Sequence, residues 1–440
     1  MLAAMTLQSL YAVVNLIFVR QLGDAAISGL AVTVQAFFII LALGQILGQT
    51  ALAEISQAYG QGDIKHARGA LSSYAILSLG LGIPAAVLAF FGAEAYVGVF
   101  TDDPAILEQG IAYFEISAPT FFLQLVIIVF STAVRASGDF VSPMRIMFVS
   151  VLLNAALDPV FIFWFDLGIR GAAWATVVAQ TVSCLTYLWR LSRPVDDSRA
   201  LRFGRPAFRG GLMHRIISRG VPAGIQFFLI FVLLGVILAG MKPFGGEWTG
   251  AAGGGFRILQ QTWLPLVTLA SAAAALTGQN FGARQGARVV ETAKAAMRWG
   301  LIYGTIATLV VMALAPLLAH LVAESDTQHD YATTYFYLSA PMLLAFSLTY
   351  IPTFMLQAVG RSFLPMVAAF IRVGLVAIYT LVIVPALGGT PQTILIVATL
   401  ASFVEGVLGV ILLRRFVSTL PALATTASTP AQPPVPTSPR

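Results

Sequence analysis

The sequence has one cysteine, Cys184, among its 440 residues, and only four histidines. A single cysteine cannot form an intrachain disulfide or a thiolate metal cluster, and the scattered histidines do not have metal-ligand spacing. Charged residues make up 10% of the chain, whereas a soluble domain usually carries about a quarter. These shortages exclude a disulfide-stabilised scaffold and argue against a soluble globular protein.

The sequence also lacks the residue sets that chemistry inside a membrane would need. Its apolar segments contain no paired acids, no Ser/His set and no metal cluster, and no Gly-x-x-x-x-Gly-Lys-Ser/Thr loop is present to hold ATP. We therefore expect neither an intramembrane enzyme nor a directly ATP-driven pump, and we expect no cofactor.

Long apolar stretches are abundant instead. Hydrophobic residues make up 58% of the chain, and a helix needs about 20 mostly apolar residues to cross a bilayer. Turn sequences such as 60–63, 101–104 and 388–391 separate the stretches. The predicted spans are 2–20, 27–51, 71–92, 111–134, 142–164, 169–190, 217–241, 251–277, 297–319, 333–357, 364–387 and 391–414. The sequence thus predicts an all-α polytopic membrane protein with about twelve transmembrane helices.

Basic residues are concentrated in alternate loops. These loops contain Lys65, Arg68, Arg135, Arg145, Arg284, Arg288, Lys294, Arg361, Arg414 and Arg415, and the central linker adds a run of arginines. The opposite loops contain Glu94, Asp102, Asp103, Glu108, Glu324, Asp326 and Asp330. Because Lys and Arg resist translocation, the basic side and both termini are predicted to be cytoplasmic, in a multi-pass protein of the cell inner (plasma) membrane. The net charge of +6 reflects this orientation, so we expect no nucleic-acid partner.

Residues of the first half match residues of the second half at one constant spacing along the chain. We call this spacing, which is the one from Tyr113 to Tyr335, the repeat offset. At this offset Tyr113-Phe114 corresponds to Tyr335-Phe336, Ser117-Ala118-Pro119 to Ser339-Ala340-Pro341, and Pro143-Met144 to Pro365-Met366. Each repeat contains an even number of spans, so both enter the membrane from the same side. We predict two parallel six-helix pseudo-repeats, an architecture suited to rocking of two bundles around a central cavity.

The repeat also divides the chain into regions. The predicted regions are an N-terminal six-helix lobe at 1–190, a basic cytoplasmic linker at 191–216, a C-terminal six-helix lobe at 217–416 and a disordered cytoplasmic tail at 417–440. The tail assignment follows from its Pro, Thr, Ala and Ser content. The position equivalent to Pro222 would precede Met1. We therefore expect either that Met1 is internal to a longer coding sequence or that the first helix is unusually short.

Asp158 is the most informative polar residue within the predicted spans. An acid at mid-membrane costs roughly 2.5–3.5 kcal/mol on insertion scales, so it normally faces a cavity or a partner. Asn154 precedes Asp158 by one helical turn, which places both on one face. At the repeat offset Asp158 corresponds to Thr380 and Asn154 to Val376, so the acid has no acidic counterpart in the second half. Asp158 could take up a proton or help to coordinate Na⁺, or the pair could only bond neighbouring helices or fix a kink at Pro159.

Other polar residues lie at helical spacing in three further spans of the first half. They are Gln8, Tyr11 and Asn15 in span one, Gln45 and Gln49 in span two, and Thr176 and Gln180 in span six. Together with the fifth span, these stripes predict one cavity. In the second half, Glu405 lies in the middle of span twelve and Arg372 in span eleven. Glu405 is therefore either a cavity residue or one partner of a structural Arg372–Glu405 pair.

Several segments resemble the multidrug and toxic compound extrusion (MATE) family. They are residues 10–23, which are similar to that family's opening helix; 57–63 and 278–283, which are similar to its cytoplasmic loops; and 153–159 with 171–176, which are similar to its fifth and sixth spans. The resemblance covers about residues 1–416, and its order and spacing are more specific than any single motif. It implies efflux of amphipathic, often cationic compounds, driven by inward flow of H⁺ or Na⁺.

The resemblance also implies an ion-coupling site. The branch of DNA-damage-inducible F proteins has an Asp on the first span, Asn and Asp on the fifth and Thr on the sixth. Asn154, Asp158 and Thr176 match three of these positions, and Asn15 replaces the first-span acid. The expected ion-coupling set is therefore Asp158, Asn154, Thr176 and Asn15, with a possible Na⁺ at the first three. Hard cations prefer such oxygen ligands.

Two transport functions fit this reading. The leading hypothesis is a secondary antiporter that exports amphipathic small molecules by alternating access of two lobes. The alternative is a lipid or lipid-linked oligosaccharide flippase of the same superfamily, which would need several cationic residues in its cavity. In either case we expect the lipid bilayer and small amphipathic molecules as partners and a monomeric protein.

Overall fold

The computed structural model describes residues 22–193, 200–208, 211–323 and 325–425, and these residues are helical apart from short connections. The first half contains α1 (Asp24–Gly60), α2 (Ile64–Phe91), α3 (Ala93–Gly98), α4 (Pro104–Ser117), α5 (Pro119–Ala136), α6 (Val141–Pro159) and α7 (Ile169–Ser192). The second half contains α8 (Leu212–Arg215), α9 (Val221–Met241), α10 (Gly246–Gly282), α11 (Gly286–Ala313), α12 (Ala315–His320), α13 (Asp326–Ser339), α14 (Pro341–Ala358), α15 (Phe363–Ile378), α16 (Val384–Leu387) and α17 (Pro391–Thr425).

The helix boundaries confirm the predicted repeat. Each of α1 to α5 begins and ends exactly one repeat offset before its counterpart among α10 to α14, as Asp24–Gly60 and Gly246–Gly282 illustrate. Helices α6 and α7 begin at the same offset from α15 and α17. The two halves therefore have the same element order and run in the same direction.

Nine helical stretches within the described residues are long and apolar enough to cross a membrane, by length and composition. The predicted spans at 169–190 and 251–277 are present as the long helices α7 and α10 but are not among the nine. Their polar content, which includes Gln180 on α7 and Gln260 and Gln261 on α10, lowers their hydropathy. Both helices face the cavities described below, which explains why they tolerate these residues.

Two predicted spans are each divided into two helices. The spans 111–134 and 333–357 are interrupted at Ala118 and Ala340, just before Pro119 and Pro341. A proline lacks the N–H that would bond the carbonyl four residues earlier, and its ring crowds that carbonyl. Each span therefore has a break in its helical hydrogen bonding at one of two symmetric positions, although Ala118 and Ala340 keep helical backbone dihedrals.

The region between the halves packs against the first half instead of lying free. Ser72 Oγ donates to the Gly204 carbonyl at 2.8 Å, and the Ala207 amide donates to Ser73 Oγ at 2.9 Å. The buried Glu54 carboxylate accepts from Tyr74 at 2.8 Å and lies 3.3 Å from the Arg215 guanidinium. These contacts hold the linker and α8 against α1 and α2.

Two predicted regional boundaries differ from the structure. Helix α8 and a π-helical turn at Ile216–Gly220 lead directly into α9, so the second half begins its helical structure before 217. Helix α17 continues to Thr425, beyond the predicted tail boundary at 417. In both cases the helix continues through residues whose composition predicted a linker or a tail. Residues 426–440 of that tail lie outside the described part of the chain.

Helix α1 is the main contact between the halves. A Cβ on Gly220 would meet the Ile46 carbonyl and Thr50, so glycine is needed where α9 begins against α1. Further along the same pair, the ring centroids of Phe38 and Phe231 lie 3.9 Å apart. Because α1 belongs to the first half and α9 to the second, this seam fixes the two bundles side by side.

Candidate functional site

Two reciprocal hydrogen bonds close the molecule on the side of the basic loops. Gln57 Nε2 donates to the Ala358 carbonyl at 2.7 Å, and Gln279 Nε2 donates to the Ala136 carbonyl at 2.8 Å. The two donors are separated by the repeat offset, and so are the two acceptors, which makes each bond the repeat of the other. We call this pair of bonds the glutamine latch.

Close packing of glycines accompanies the glutamine latch. A Cβ on Gly60 would collide with the Gln279 carbonyl, and one on Gly282 would collide with the Gln57 carbonyl. The ends of α1 and α10 therefore approach each other as backbones, with no room for side chains. Glycine is required at these two positions by the closed arrangement of the halves.

Two cavities lie at the junction of the halves. The first-half cavity, of about 410 Å³, is lined by Gln45, Gln49, Gln124, Ser131, Thr132, Arg135, Ser150, Gln180, Ser183, Tyr187, Thr268 and Ser271 together with apolar residues. The second-half cavity, of about 360 Å³, is lined by Gln45, Gln49, Gln226, Gln260, Gln261, Trp263, Thr349, Tyr350, Thr353, Gln357, Arg372 and Glu405 together with apolar residues. Gln45, Gln49, Val267 and Phe354 line both cavities.

The two cavities are equivalents under the repeat. Pairs of lining residues are separated by the repeat offset, namely Arg135 and Gln357, Ser150 and Arg372, and Ser183 and Glu405. Equivalent positions of the two halves thus line the two cavities, but the charged residues occupy different positions in each cavity. The duplication preserved the shape of the site and changed its chemistry.

The second-half cavity contains a buried ion pair. Arg372 Nη1 lies 2.9 Å from Glu405 Oε2, and the side chains are 4% and 3% exposed. Gln226 hydrogen-bonds to Glu405, and its Oε1 accepts from Gln357 Nε2 at 3.0 Å. The predicted Arg372–Glu405 pair is confirmed, and its two charges balance among the described residues that line this cavity.

The first-half cavity contains one charged residue, Arg135, among the described residues that line it. Its Nη2 donates to Thr132 Oγ1 at 2.9 Å, and its buried Nε has no hydrogen-bond partner within the described residues. The neighbouring Asp139 pairs instead with Arg190. Burial alone would raise the pKa of Asp139, but hydrogen bonds from Ser142 and the Arg190 guanidinium outweigh this effect and lower that pKa.

The ion-coupling residues that the structure describes form a separate group. Asp158 is fully buried and Asn154 is 7% exposed, and both lie on α6 just before Pro159 and a π-helical turn at Val160–Trp164. Thr176 of α7 donates to the Ala172 carbonyl at 3.1 Å. Its side chain also hydrogen-bonds with Tyr113, which lies within electrostatic range of Asp158. Asp158, Asn154 and Thr176 line neither of the two cavities.

The structure divides the predicted cavity residues between two chambers. Gln45 and Gln49 lie in both, Gln180 lies only in the first-half cavity and Glu405 only in the second-half cavity. Gln180 and Glu405 therefore line different cavities, and the substrate-binding role expected of each stays a prediction. Gln8, Tyr11 and Asn15 lie outside the described residues.

Sequence reasoning missed several residues of the site, Arg135, Gln357 and Tyr113 among them. Arg135 was assigned to the basic loops, although it occupies the last turn of α5 and lines the first-half cavity. Its repeat partner Gln357 is a polar residue in an apolar stretch of α14, and this could have indicated that both positions face a cavity. Tyr113 was noticed only as a repeat match, and no pattern in the sequence connected it with Thr176.

A duplicated helical bundle with paired cavities at the junction of its halves defines a multi-pass membrane transport protein. The MatE family model matches residues 1–160 and 222–383, and the chain belongs to this family. The resemblance that the sequence motifs indicated is thereby confirmed.

Relatives and a solved structure agree with this assignment. The chain is 27% identical over 428 residues to the multidrug export protein MepA of Staphylococcus aureus (strain MSSA476), covering 94% of this chain and 92% of that protein. It is 28% identical over 279 residues to the probable multidrug resistance protein YpnP of Bacillus subtilis (strain 168), covering 62% of this chain and 60% of that protein. It also matches the outward-facing conformation of a multidrug resistance MATE family transporter of the MOP superfamily, with a TM-score of 0.88 at 20% identity over 96% of this chain and 94% of that chain. This last likeness shows the fold.

Proposed function

We propose that the protein exports amphipathic small molecules from the cell in exchange for H⁺ or Na⁺. The observation that carries this proposal is the pair of equivalent cavities at the junction of the halves, with the glutamine latch closing the side of the basic loops. The names of MepA and YpnP, a multidrug export protein and a probable multidrug resistance protein, support the substrate class. A monomer of this kind contains the whole transport path.

The latch lies on the side of the basic loops, which the distribution of Lys and Arg assigns to the cytoplasm. The proposed orientation therefore has both termini inside the cell, in the plasma membrane, and a transporter closed towards the cytoplasm. Rocking of the halves would break both latch bonds and open the cavities to the cytoplasm. Repeated bundles that move against each other around a central site are the usual basis of alternating access.

The proposed coupling site is the buried group of Asp158, Asn154 and Thr176. A buried carboxylate is costly to keep charged, and a proton or Na⁺ would neutralise it. Carboxylate, amide and hydroxyl oxygens suit Na⁺, and Tyr113 adds a further hydroxyl within reach of Thr176. If the ion binds one conformation more tightly, it shifts the population of states and drives export without touching the substrate.

The flippase alternative is less well supported by the cavity charges. Binding of a lipid-linked pyrophosphate would require several available cations. Among the described residues that line the two cavities, only Arg135 and Arg372 are cationic, and Arg372 is paired with Glu405. We therefore favour the exporter.

Transport by reconstituted protein tests the proposal. Vesicles loaded with rhodamine 6G would be given either an H⁺ or a Na⁺ gradient, and dye movement against its own gradient would be followed by fluorescence. We expect Asp158→Asn to abolish ion-driven movement, because the variant lacks the carboxylate that the driving ion would neutralise. The matched control is Asp166→Asn, because Asp166 is exposed in the turn after α6. Ion-driven export that survives in Asp158→Asn would contradict the assignment.

A further inference from the structure

The first-half cavity combines three features that a cationic amphiphile alone would not need. Arg135 is the one formal charge among the described residues that line it, and its Nε has no hydrogen-bond partner there. Its single described hydrogen bond is to the neutral hydroxyl of Thr132. The Arg135 side chain is partly exposed, but its Nε is buried without a described partner, and an anion would supply the missing acceptor and balance the charge.

The second-half cavity provides an internal comparison. There the guanidinium of Arg372 is neutralised by Glu405, and the position equivalent to Glu405 in the first half is Ser183. Ser183 and Tyr187 line the first-half cavity from one face of α7, and Tyr187 lies within electrostatic range of Arg135. The first half therefore has serines at both positions of the ion pair, and its cation stands at the position equivalent to Gln357.

The position of Arg135 suits a ligand that enters from the side opposite the latch. Arg135 directly precedes Ala136, whose carbonyl accepts a latch bond from Gln279, so the guanidinium lies at the closed end of the cavity. Gln180 and Gln124 line the same space with amide groups that can donate further hydrogen bonds. A guanidinium with flanking amide and hydroxyl donors matches the acceptor oxygens of a carboxylate or phosphate.

We propose that the first-half cavity contains an anion subsite centred on Arg135, which binds the carboxylate or phosphate group of an amphipathic substrate. The preferred substrates therefore carry an acidic group, either alone or together with a cation. This inference rests on the proposed export function, because the subsite would select among the exported molecules. Its binding test does not depend on transport.

Two dyes with the same ring system provide the test. Rhodamine 110 carries a free carboxylate, and rhodamine 123 is its methyl ester, so the pair differs at the anionic group alone. Binding to the purified protein in lipid nanodiscs would be measured by fluorescence polarisation, with empty nanodiscs correcting for partition into lipid. We expect wild type to prefer rhodamine 110 by about tenfold, and Arg135→Gln to remove that preference while changing rhodamine 123 affinity by less than about twofold.

Three further variants separate charge from folding. Arg135→Lys keeps a cation and should retain part of the preference. Ser183→Glu places a carboxylate at the position equivalent to Glu405 and should reduce rhodamine 110 binding while improving that of rhodamine 123. Arg145→Gln removes an exposed arginine of α6 that does not line the cavity, and it should leave the ratio unchanged. Equal binding of the two dyes by wild type would overturn the inference without any variant, as would equal weakening of both by Arg135→Gln.

Transport separates the inference from the proposed function and identifies the source of the anion. Export of rhodamine 123 without any binding preference would leave the function standing and overturn the subsite. A binding preference without export of either dye would support the subsite and contradict the function. If fluorescent phosphatidic acid moves and its movement depends on Arg135, the anion belongs to a lipid headgroup. If rhodamine 110 moves and the lipid does not, the anion belongs to a soluble amphiphile. Either result supports the subsite.

Discussion

Helices α5, α6 and α7 of the first half repeat as α14, α15 and α17 of the second, yet the cavities beside them carry different charges. The first-half cavity has an arginine without a described acid, and the second-half cavity has a neutral ion pair. A fully buried acid lies at Asp158, whereas its repeat partner is the buried Thr380. The comparison teaches that the two halves kept the same helix boundaries while the chemistry of their cavities diverged.

This separation has a physical cause. Helix boundaries depend on turn residues and prolines, which the two halves share at Ser117-Ala118-Pro119 and Ser339-Ala340-Pro341. A side chain that faces a cavity contributes less to packing, so it can change while the helices stay in place. The repeat therefore allows each cavity residue to be compared with the residue at the equivalent position of the other half.

The largest expected effect comes from breaking the ion pair of the second half. Glu405→Gln would leave the Arg372 guanidinium buried without its acid, and we expect a loss of about 3–5 kcal/mol in stability. The double variant Arg372→Gln with Glu405→Gln makes the site neutral, as Ser150 and Ser183 do in the first half, and should recover most of that loss. Thermal unfolding in detergent measures both. Equal destabilisation by the single and double variants would contradict the account of the pair.

A smaller effect is expected at the glutamine latch. Gln57→Leu and Gln279→Leu each remove one of the two repeated hydrogen bonds, and each should destabilise the closed arrangement by about 1 kcal/mol. Spin labels at Gln61→Cys and Gln285→Cys, in a Cys184→Ala background, would report the distance between the halves on this side. Each variant is the matched control of the other. A large shift in one and none in the other would show that the latch is not functionally symmetric.

The sequence predicted the fold well because its signals are local and repeated. Apolar length, turn residues and the repeat offset located the spans, and the helix boundaries follow that offset residue by residue in α1 to α5. Hydropathy did not predict the breaks in hydrogen bonding at Pro119 and Pro341. The sequence stays apolar on both sides of each proline, and a missing N–H does not change the hydropathy.

The site was predicted in part, for a different reason. Helical spacing put Asn154 and Asp158 on one face, and both are buried together on α6. The charge pattern treated Arg135 as one more basic loop residue, because the distribution of Lys and Arg records which side of the membrane a charge lies on. It does not record whether the side chain points outward or into a cavity. Nor does spacing within one helix show that Tyr113 of α4 meets Thr176 of α7.

The most direct test of the central claim is the spin-label distance between positions 61 and 285 during titration with the driving ion. The claim is that Asp158, a buried acid whose counterpart in the second half is Thr380, controls the movement of both halves. We predict that the ion shifts the distance distribution in the labelled protein and has no effect once Asp158→Asn is added. An equal ion-dependent shift in the Asp158→Asn variant would contradict the claim.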